Sequence, residues 1–445
     1  MQPNMPNPYG KVWSLAWPMM ISNMSVPLLG LVDAALLGHL EAATFLGAVA
    51  LGAVFINLVY WSFGFLRMGT TSLIARNSGS ASVDDGSDDE SGIMARSLLL
   101  ALVFGIGVMV VVPPLIPLIV SILNASSEVA PLCAEYINIR IYSAPAVLLA
   151  YTISGWLIGH QQVKLALTLV LTINVTNIIL DVVFIVGFGW QSAGAAWATL
   201  IAEYLGLLVG LAMLAPYIRK QRHRVSGADF SLAALRELVG INGHLMLRTL
   251  LLLFAMNFFT AQGARLGDDL LATNAILFQL AMFAAYVMDG FSHAAEALCG
   301  RAVGAGQRKL FDHITSVCRH MMGATAILFA IAFTAGGIPL VGVFSDLEAV
   351  RAAGITYLPW LVTMPIVSYT AYLYDGVFIG AGATREMFYT MLVATVGIYL
   401  PAWWLTLNWH NHGLWLAFIL FNLARSVGMS QVYHRRLKLQ PAVAH

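Results

Sequence analysis

Charge is the scarcest ingredient of this sequence. Only 10% of its 445 residues are Asp, Glu, Lys or Arg, while 59% are hydrophobic; a soluble domain carries about 25% charged residues. The shortage excludes an ordinary soluble fold and points to an integral membrane protein. Cysteine is scarce too. Cys133, Cys299 and Cys318 fall in or near expected helices and suggest neither a disulfide framework nor a metal site. A net charge of +1 offers nothing for a nucleic-acid partner. No cofactor is expected. The first apolar stretch, from Lys11 to about Gly38, has no small-residue cleavage site and reads as a retained helix rather than a signal peptide. The apolar runs do not alternate with polar residues, which excludes a membrane barrel.

What is present is a succession of apolar runs, and about 20 residues suffice to span a bilayer. The spacing predicts an all-α protein with about twelve helices, at 11–38, 44–76, 94–123, 129–159, 163–187, 193–218, 232–264, 270–302, 310–343, 350–380, 386–407 and 412–434. With the N-terminus inside, one membrane side receives Lys11, Arg76, Arg96, Lys164, Arg219, Lys220, Arg222, Arg224, Arg236, Arg301, Arg308, Lys309, Arg385, Arg435, Arg436 and Lys438. The other side receives only Arg265 and Arg351. Such a bias in Lys and Arg sets orientation, so both termini are expected to be cytoplasmic.

The chain also repeats itself. GWLIGHQQVK (155–164) matches GVFIGAGATR (376–385) at an offset of 221 residues. Arg76 in SLIARNSG matches Arg301 in ALCGRAVG at an offset of 225, and Trp190 and Gly194 match Trp409 and Gly413 at 219. Three ordered matches at nearly constant offset indicate a duplication. Six helices per half keep both halves in one orientation, the parallel-repeat arrangement of some transporters. The expected organisation is an N-terminal lobe (1–218), a basic cytoplasmic linker (219–231) and a C-terminal lobe (232–445).

Within these apolar runs a few polar groups stand out. Asp33 lies 22 residues after Lys11 and 5 before Gly38, in the outer half of the first helix. Asp181 lies 17 residues after Lys164, about 25 Å along its helix. Asn177 shares a face with Asp181, four residues away, and Thr199 sits just inside the outer end of the sixth helix. Carboxylates at membrane depth are costly and mark ion or substrate pathways. Two of them close together, both desolvated, favour retention of a proton by one near neutral pH. The same oxygens suit Na⁺, and the residues alone leave H⁺ and Na⁺ both open. Pro27 removes the helical partner of the Asn23 carbonyl, and Gly30 lies between Pro27 and Asp33, so a bend is easy there. Hypothesis: protonation of Asp33 shifts this helix between straight and bent forms, which identical helices at low and high pH would refute.

The C-terminal half lacks a matching acid at Leu400, the counterpart of Asp181. Arg248 and Asp289 each lie 12 residues from a cytoplasmic arginine, Arg236 and Arg301, or about 18 Å. Equal depth and opposite sign predict a structural ion pair. Asp375 is expected near the inner surface, and Arg67 and Arg140 have no evident partner. Asn23, Tyr136, Tyr151 and Ser154 are candidates for lining a substrate pocket, with Met20, Met24 and Met256 as adaptable apolar surface. Ordinary packing is the simpler reading of each of them.

On SNMSVPLLGLVDAALLGHL (22–40), FLRMGTTSLIAR (65–76), NIILDVVFIVGFGWQSAGAAWATLIAEY (177–204), DGFSHAAEALCGRAVGAG (289–306) and YDGVFIGAGATREM (374–387), the chain resembles the MATE family of multidrug and toxic compound extrusion transporters, in its DinF-like branch. The resemblance implies two six-helix lobes in a V and alternating access. It implies efflux of small amphipathic, often cationic organic compounds across the bacterial inner membrane, by a monomer. The family's cation-site positions correspond to Asp33, Asn177, Asp181 and Thr199, and its bending proline to Pro27. The departure is SGSASVDDGSDDES (78–91), an acidic Gly/Ser-rich segment read as a solvated cytoplasmic loop.

Two other functions compete. A lipid-linked precursor flippase of related architecture would favour a large hydrophilic central groove, and the acids gathered in one lobe weigh against it. An intramembrane prenyl transferase would hold Mg²⁺ and diphosphate on aspartates such as DDGSDD (84–89). It should carry a second aspartate-rich motif, and none is evident, so the chain is expected not to be an enzyme.

Overall fold

The computed structural model describes residues 7–38, 42–80, 90–220 and 230–437. The side chains of residues 26, 28, 29, 31, 33, 34, 38, 43, 218–220, 232–235 and 436 fall outside this description. The described chain is helical, with no strand among its residues. Its first helix, α1, is Pro8–Gly38. The others follow as α2 (Thr44–Ser80), α3 (Glu90–Ile122), α4 (Val129–Ile141 and Ala144–Gly159), α5 (Val163–Gly187) and α6 (Gln191–Tyr217). The second half supplies α7 (Arg236–Ala264), α8 (Asp268–Gly304), α9 (Arg308–Phe344), α10 (Glu348–Ala381), α11 (Thr384–Leu405) and α12 (Leu407–Arg435). Ten of these are single helices long and apolar enough to cross a membrane, and the bent α4 makes eleven. The 31-residue α1, with Lys11 and Asp33 as its only charges, makes twelve on its sequence.

Helix interruptions have local causes. The span expected as one helix at 129–159 is broken between Ile141 and Ala144 and bends by 48°. Pro145, in the first turn of the second segment, has no N–H to continue the hydrogen-bond ladder. Gly105 on α3 accommodates that turn, since a Cβ there would lie 2.6 Å from the Pro145 Cα. In α10, the Ser426 hydroxyl inserts into the ladder, accepting from the Ala371 N–H at 3.1 Å and donating to the Val367 carbonyl at 2.8 Å. Such an insertion is a recognised source of bending.

Contacts group the chain into two compact units, one of Ile21–Ile74 and Gly86–Asn242, the other of Met1–Met20, Ala75–Asp85 and Gly243–His445. The start of α1 and the end of α2 thus pack with the second unit. For α1 the reason is Gly290 on α8, where a Cβ would lie 2.4 Å from the Met20 Cγ and 2.7 Å from the Ala16 carbonyl oxygen.

The duplication is written into the backbone. In the first unit, a Cβ on Gly155 would lie 2.4 Å from the Arg67 carbonyl oxygen; in the second, one on Gly376 would lie 2.1 Å from that of Ser292. These are the same α2·α4 and α8·α10 crossings, offset by 221 and 225 residues. Small residues let membrane helices approach this closely. The left-handed positions repeat as well: Gln161 (φ 61°) pairs with Gly382 (φ 73°), and Gln191 (φ 53°) with His410 (φ 49°). Within the second unit, the end of α2 meets the end of α8 reciprocally. Gly79 sits on the Arg301 carbonyl oxygen at 2.2 Å and Gly304 on that of Arg76 at 1.8 Å, measured from a built Cβ. Each glycine thus meets the counterpart of the other's arginine.

Candidate cation site in the first unit

The site is assembled by α5 and α6, which run antiparallel through a short turn at Phe188–Trp190. That turn is pinned by stacking of Phe184 on Trp190, with centroids 5.0 Å apart. Gly194 lets it close, because a Cβ there would come within 3.2 Å of the Phe184 backbone. With the helices so joined, Asn177 Nδ2 donates to Thr199 Oγ1 at 2.9 Å, and the Thr199 hydroxyl donates to the Ala195 carbonyl at 2.9 Å. Asn177 and Asp181 are both 0% exposed, and Thr199 is nearly so. Asn177 Oδ1 is buried without a hydrogen-bond partner among the described residues. Immediately past Asp181 the helix widens to i→i+5 bonding over Val182–Gly187, a local distortion frequent at functional sites. A turn earlier on α5, Asn174 Nδ2 donates to Ser25 Oγ on α1 at 2.9 Å, so α1 reaches this face of α5.

Asn177, Asp181 and Thr199 therefore gather a carboxylate, an amide oxygen and a hydroxyl inside an apolar helix pair. Hard oxygen ligands suit an alkali cation, and a buried carboxylate suits a proton. Asp33 lies on the helical backbone of α1, and its side chain falls outside the described residues. The helix continues through Pro27 and Gly30 without interruption.

A second polar centre in the same unit escaped the sequence reading. Arg140 forms a bidentate pair with Glu203 at 2.6 and 3.0 Å, and its Nη1 also reaches Ser143 Oγ at 3.1 Å. Tyr60 braces the α4 break by donating to the Arg140 carbonyl at 2.8 Å, and Tyr204 donates to the Tyr142 carbonyl at 2.9 Å. Two of the candidate pocket residues belong here. Tyr136 lies within electrostatic range of Arg140, and Tyr151 within range of Glu203 and Arg67. The Tyr136 ring also packs on Gly52, where a Cβ would meet it at 2.4 Å. Asn23 and Ser154 are half-buried on α1 and α4. The missing signal was depth: Glu203 precedes Arg219 by 16 residues and Arg140 precedes Gly159 by 19, about 24 and 28 Å.

Two further expectations are corrected. Arg248 bonds Asp375 through Nη2, and Arg425 Nη2 reaches the same Asp375 Oδ2 at 2.9 Å. The expected Arg248–Asp289 pair is thus replaced by an Arg248–Asp375–Arg425 triad, with Asp289 acting on Arg248 only as a nearby charge. The arginines that bracket these helices do not mark a common level for Arg248, Asp289 and Asp375. Arg385 follows the turn after α10, so it was a poor level mark for Asp375. Glu90, read as part of the solvated acidic segment, is instead in the first turn of α3. It accepts from Trp156 Nε1 at 3.0 Å and meets His160 Nε2 at 2.5 Å. Residues 84–89 lie outside the described residues.

Comparison with known proteins fits this architecture. The chain is 38% identical over 429 residues to DNA damage-inducible protein F of Escherichia coli, covering 95% of this chain and 92% of that protein. It is 24% identical to the multidrug export protein MepA of Staphylococcus haemolyticus, over 83% of this chain and 80% of that one. A solved MOP superfamily transporter from Pyrococcus furiosus shares the fold at a TM-score of 0.85 and 21% identity, with 96% of each chain covered. The MatE family model matches residues 18–183 and again 245–405, once in each half of the duplication. The chain belongs to the MatE family of membrane transporters.

Proposed function

We propose that this chain is a secondary antiporter that expels small amphipathic, often cationic organic compounds by alternating access. Proton influx through the first-unit carboxylates Asp33 and Asp181 drives it. The observation that carries this reading is the enclosure of Asp181 beside the bonded Asn177–Thr199 pair. A carboxylate so enclosed is stabilised by carrying a proton or a cation, and its occupancy is a natural trigger for movement. The multidrug export named for MepA supports the substrate class. Each charge moved inward supplies roughly 2.3 kcal/mol per 100 mV. In this reading Pro27 and Gly30 give α1 the freedom to respond, both termini lie in the cytoplasm, and the membrane is the bacterial inner one.

A Na⁺-coupled version has a specific observation in its favour. Asn177 Oδ1 is a buried acceptor with no donor among the described residues, and a cation would satisfy it together with Thr199 and Asp181. The test is efflux of a fluorescent cation from proteoliposomes with separately imposed proton and Na⁺ gradients, for wild type, Asp33→Asn and Asp181→Asn. The proton reading expects export under a proton gradient alone and its loss in both variants. Gradient-driven export that survives in both variants would end the reading, and dependence on Na⁺ without proton counterflow would select the other ion.

A further inference from the structure

The Arg248–Asp375–Arg425 triad has uneven bonding. Of the two arginines, Arg425 is the more fully bonded, although its Nε, like that of Arg248, is buried without a partner among the described residues. Its Nη1 donates to Asn422 Oδ1 at 3.2 Å and its Nη2 to Asp375 Oδ2 at 2.9 Å. The guanidinium lies over the Phe421 ring at 5.5 Å. The next residue, Ser426, is locked into the α10 backbone. Arg248 is different. A guanidinium carries five N–H donors, yet Arg248 makes one hydrogen bond among the described residues, to an oxygen that Arg425 already uses. Its Nε and Asp375 Oδ1 are both buried and without a partner there. Arg248 and Asp375 have the atoms for a two-bond fork, but only one bond forms.

Charge and depth sharpen the asymmetry. One carboxylate, Asp375, bonds two guanidinium groups, so the three side chains together carry one excess positive charge. Asp289 acts on Arg248 as a further nearby negative charge, weaker than that of Asp375. Arg248 is the middle residue of the helix Leu232–Ala264, 16 residues from either end, or about 24 Å. That depth is far from lipid headgroups and matches the level at which transporters hold substrates. The triad is not fully sealed, since the Asp375 side chain keeps 13% of its surface exposed, against 5% for Arg248 and 2% for Arg425.

We propose that Arg248 is a recognition site for an anionic group, a carboxylate or sulfonate, on a small organic molecule bound in the second unit. The anion takes the unused donors of Arg248 as a planar fork, while Asp375 stays with Arg425. The site extends the substrate range beyond cations. It rests on the transporter reading only for its consequence, since binding is measured without any gradient.

The experiment uses the full chain in nanodiscs of neutral phosphatidylcholine and follows the fluorescence anisotropy of two xanthene dyes. Fluorescein is the dianionic probe at mildly alkaline pH, and rhodamine 6G the cationic one. Saturable fluorescein binding is expected, weakened at least about tenfold by Arg248→Met and less by Arg248→Lys, with rhodamine 6G affinity kept within about twofold. Asp375→Asn should strengthen fluorescein binding by freeing Arg248 of its competitor. Retained rhodamine binding shows that a variant is folded. The proposal is overturned by fluorescein binding no better than to empty discs, by equal binding in Arg248→Met, or by loss of both dyes together. Displacement of fluorescein by added phosphatidylglycerol would assign the site to lipid and overturn it as a substrate site.

Discussion

Gly304→Ala is the sharpest test of the reciprocal crossing between the ends of α2 and α8. A Cβ at Gly304 would lie 1.8 Å from the Arg76 carbonyl oxygen and 2.7 Å from its carbonyl carbon. Both atoms are backbone, so no side chain can swing away. Real Cβ atoms essentially never come under 3.0 Å, so the helices must separate by about 1.2 Å at this point, from 1.8 to 3.0 Å. Forcing extra volume into a packed contact costs typically 1–3 kcal/mol, and the upper end is expected where backbone must move. Gly79→Ala faces the mirror contact at 2.2 Å and should cost somewhat less. Gly336→Ala is the control, because nothing lies within 4 Å of a Cβ there. It should gain up to about 1 kcal/mol, since alanine is the better helix former. Thermal unfolding in detergent, read by tryptophan emission, should rank the variants Gly336→Ala, wild type, Gly79→Ala, Gly304→Ala in falling order. A Gly304→Ala protein as stable as wild type would refute the crossing.

Three further outcomes are expected. Arg140→Met or Glu203→Gln alone should destabilise by about 3–5 kcal/mol, because each strands a buried charge or its partner; the double variant Arg140→Met/Glu203→Leu should recover most of that loss. A double variant as unstable as the sum of the singles, in chemical denaturation, would deny the coupling. Thr199→Val leaves Asn177 Nδ2 without its acceptor, so about 1–3 kcal/mol of stability should go, with export in proteoliposomes reduced; unchanged stability and export would count against the bonded pair. Ser426→Ala removes the hydroxyl wedged in α10 and should change hydrogen exchange at the Ala371 amide selectively, whereas uniform exchange along α10 would show that the wedge has no local effect.

Helix number, type and approximate limits were legible because each apolar run is long and bounded by charge, Gly or Pro. Even the duplication could be read, since the glycines that carry it must stay glycines for the crossings to close. What sequence could not deliver was pairing between helices. Asn177 and Thr199 were placed at one depth by counting rise per residue, and they do bond. The same counting paired Arg248 with the wrong carboxylate, because it took Arg236, Arg301 and Arg385 as level marks of one plane. Glu90 was lost for a related reason: an acidic run looks uniformly solvated, and only the fold brings Trp156 and His160 to its last member. Arg140 had no evident partner because Glu203 lies 63 positions away on a helix whose other face is apolar.

The two halves share a backbone but not their buried polar groups. The 219-residue offset of Trp190 and Trp409 aligns Asp181 with Leu400, Thr199 with Phe418, Glu203 with Asn422 and Gly206 with Arg425, and the 221-residue offset of Gly155 and Gly376 aligns Ser154 with Asp375. Backbone geometry is shared while the buried polar groups differ at every one of these positions. Close helix contacts tolerate no added atom, so they persist through duplication. Buried charges need only a local partner, so each half can satisfy its own in a different place. The first half pairs Arg140 with Glu203 and encloses Asp181 beside the bonded Asn177 and Thr199; the second has an Asp–Arg pair at the Ser154 and Gly206 positions, with Arg248 bonded to the same aspartate. The cation site proposed in the first half and the anion site proposed in the second would make the halves complementary in charge preference. Transplanting one polar group alone should fail. Leu400→Asp would put a carboxylate beside Val396 and Phe418, the counterparts of Asn177 and Thr199, with neither oxygen to share its ion. It should lower stability without creating a second coupling site, and a gain of proton or Na⁺ stoichiometry in that variant would show that position alone, rather than its neighbours, confers the function.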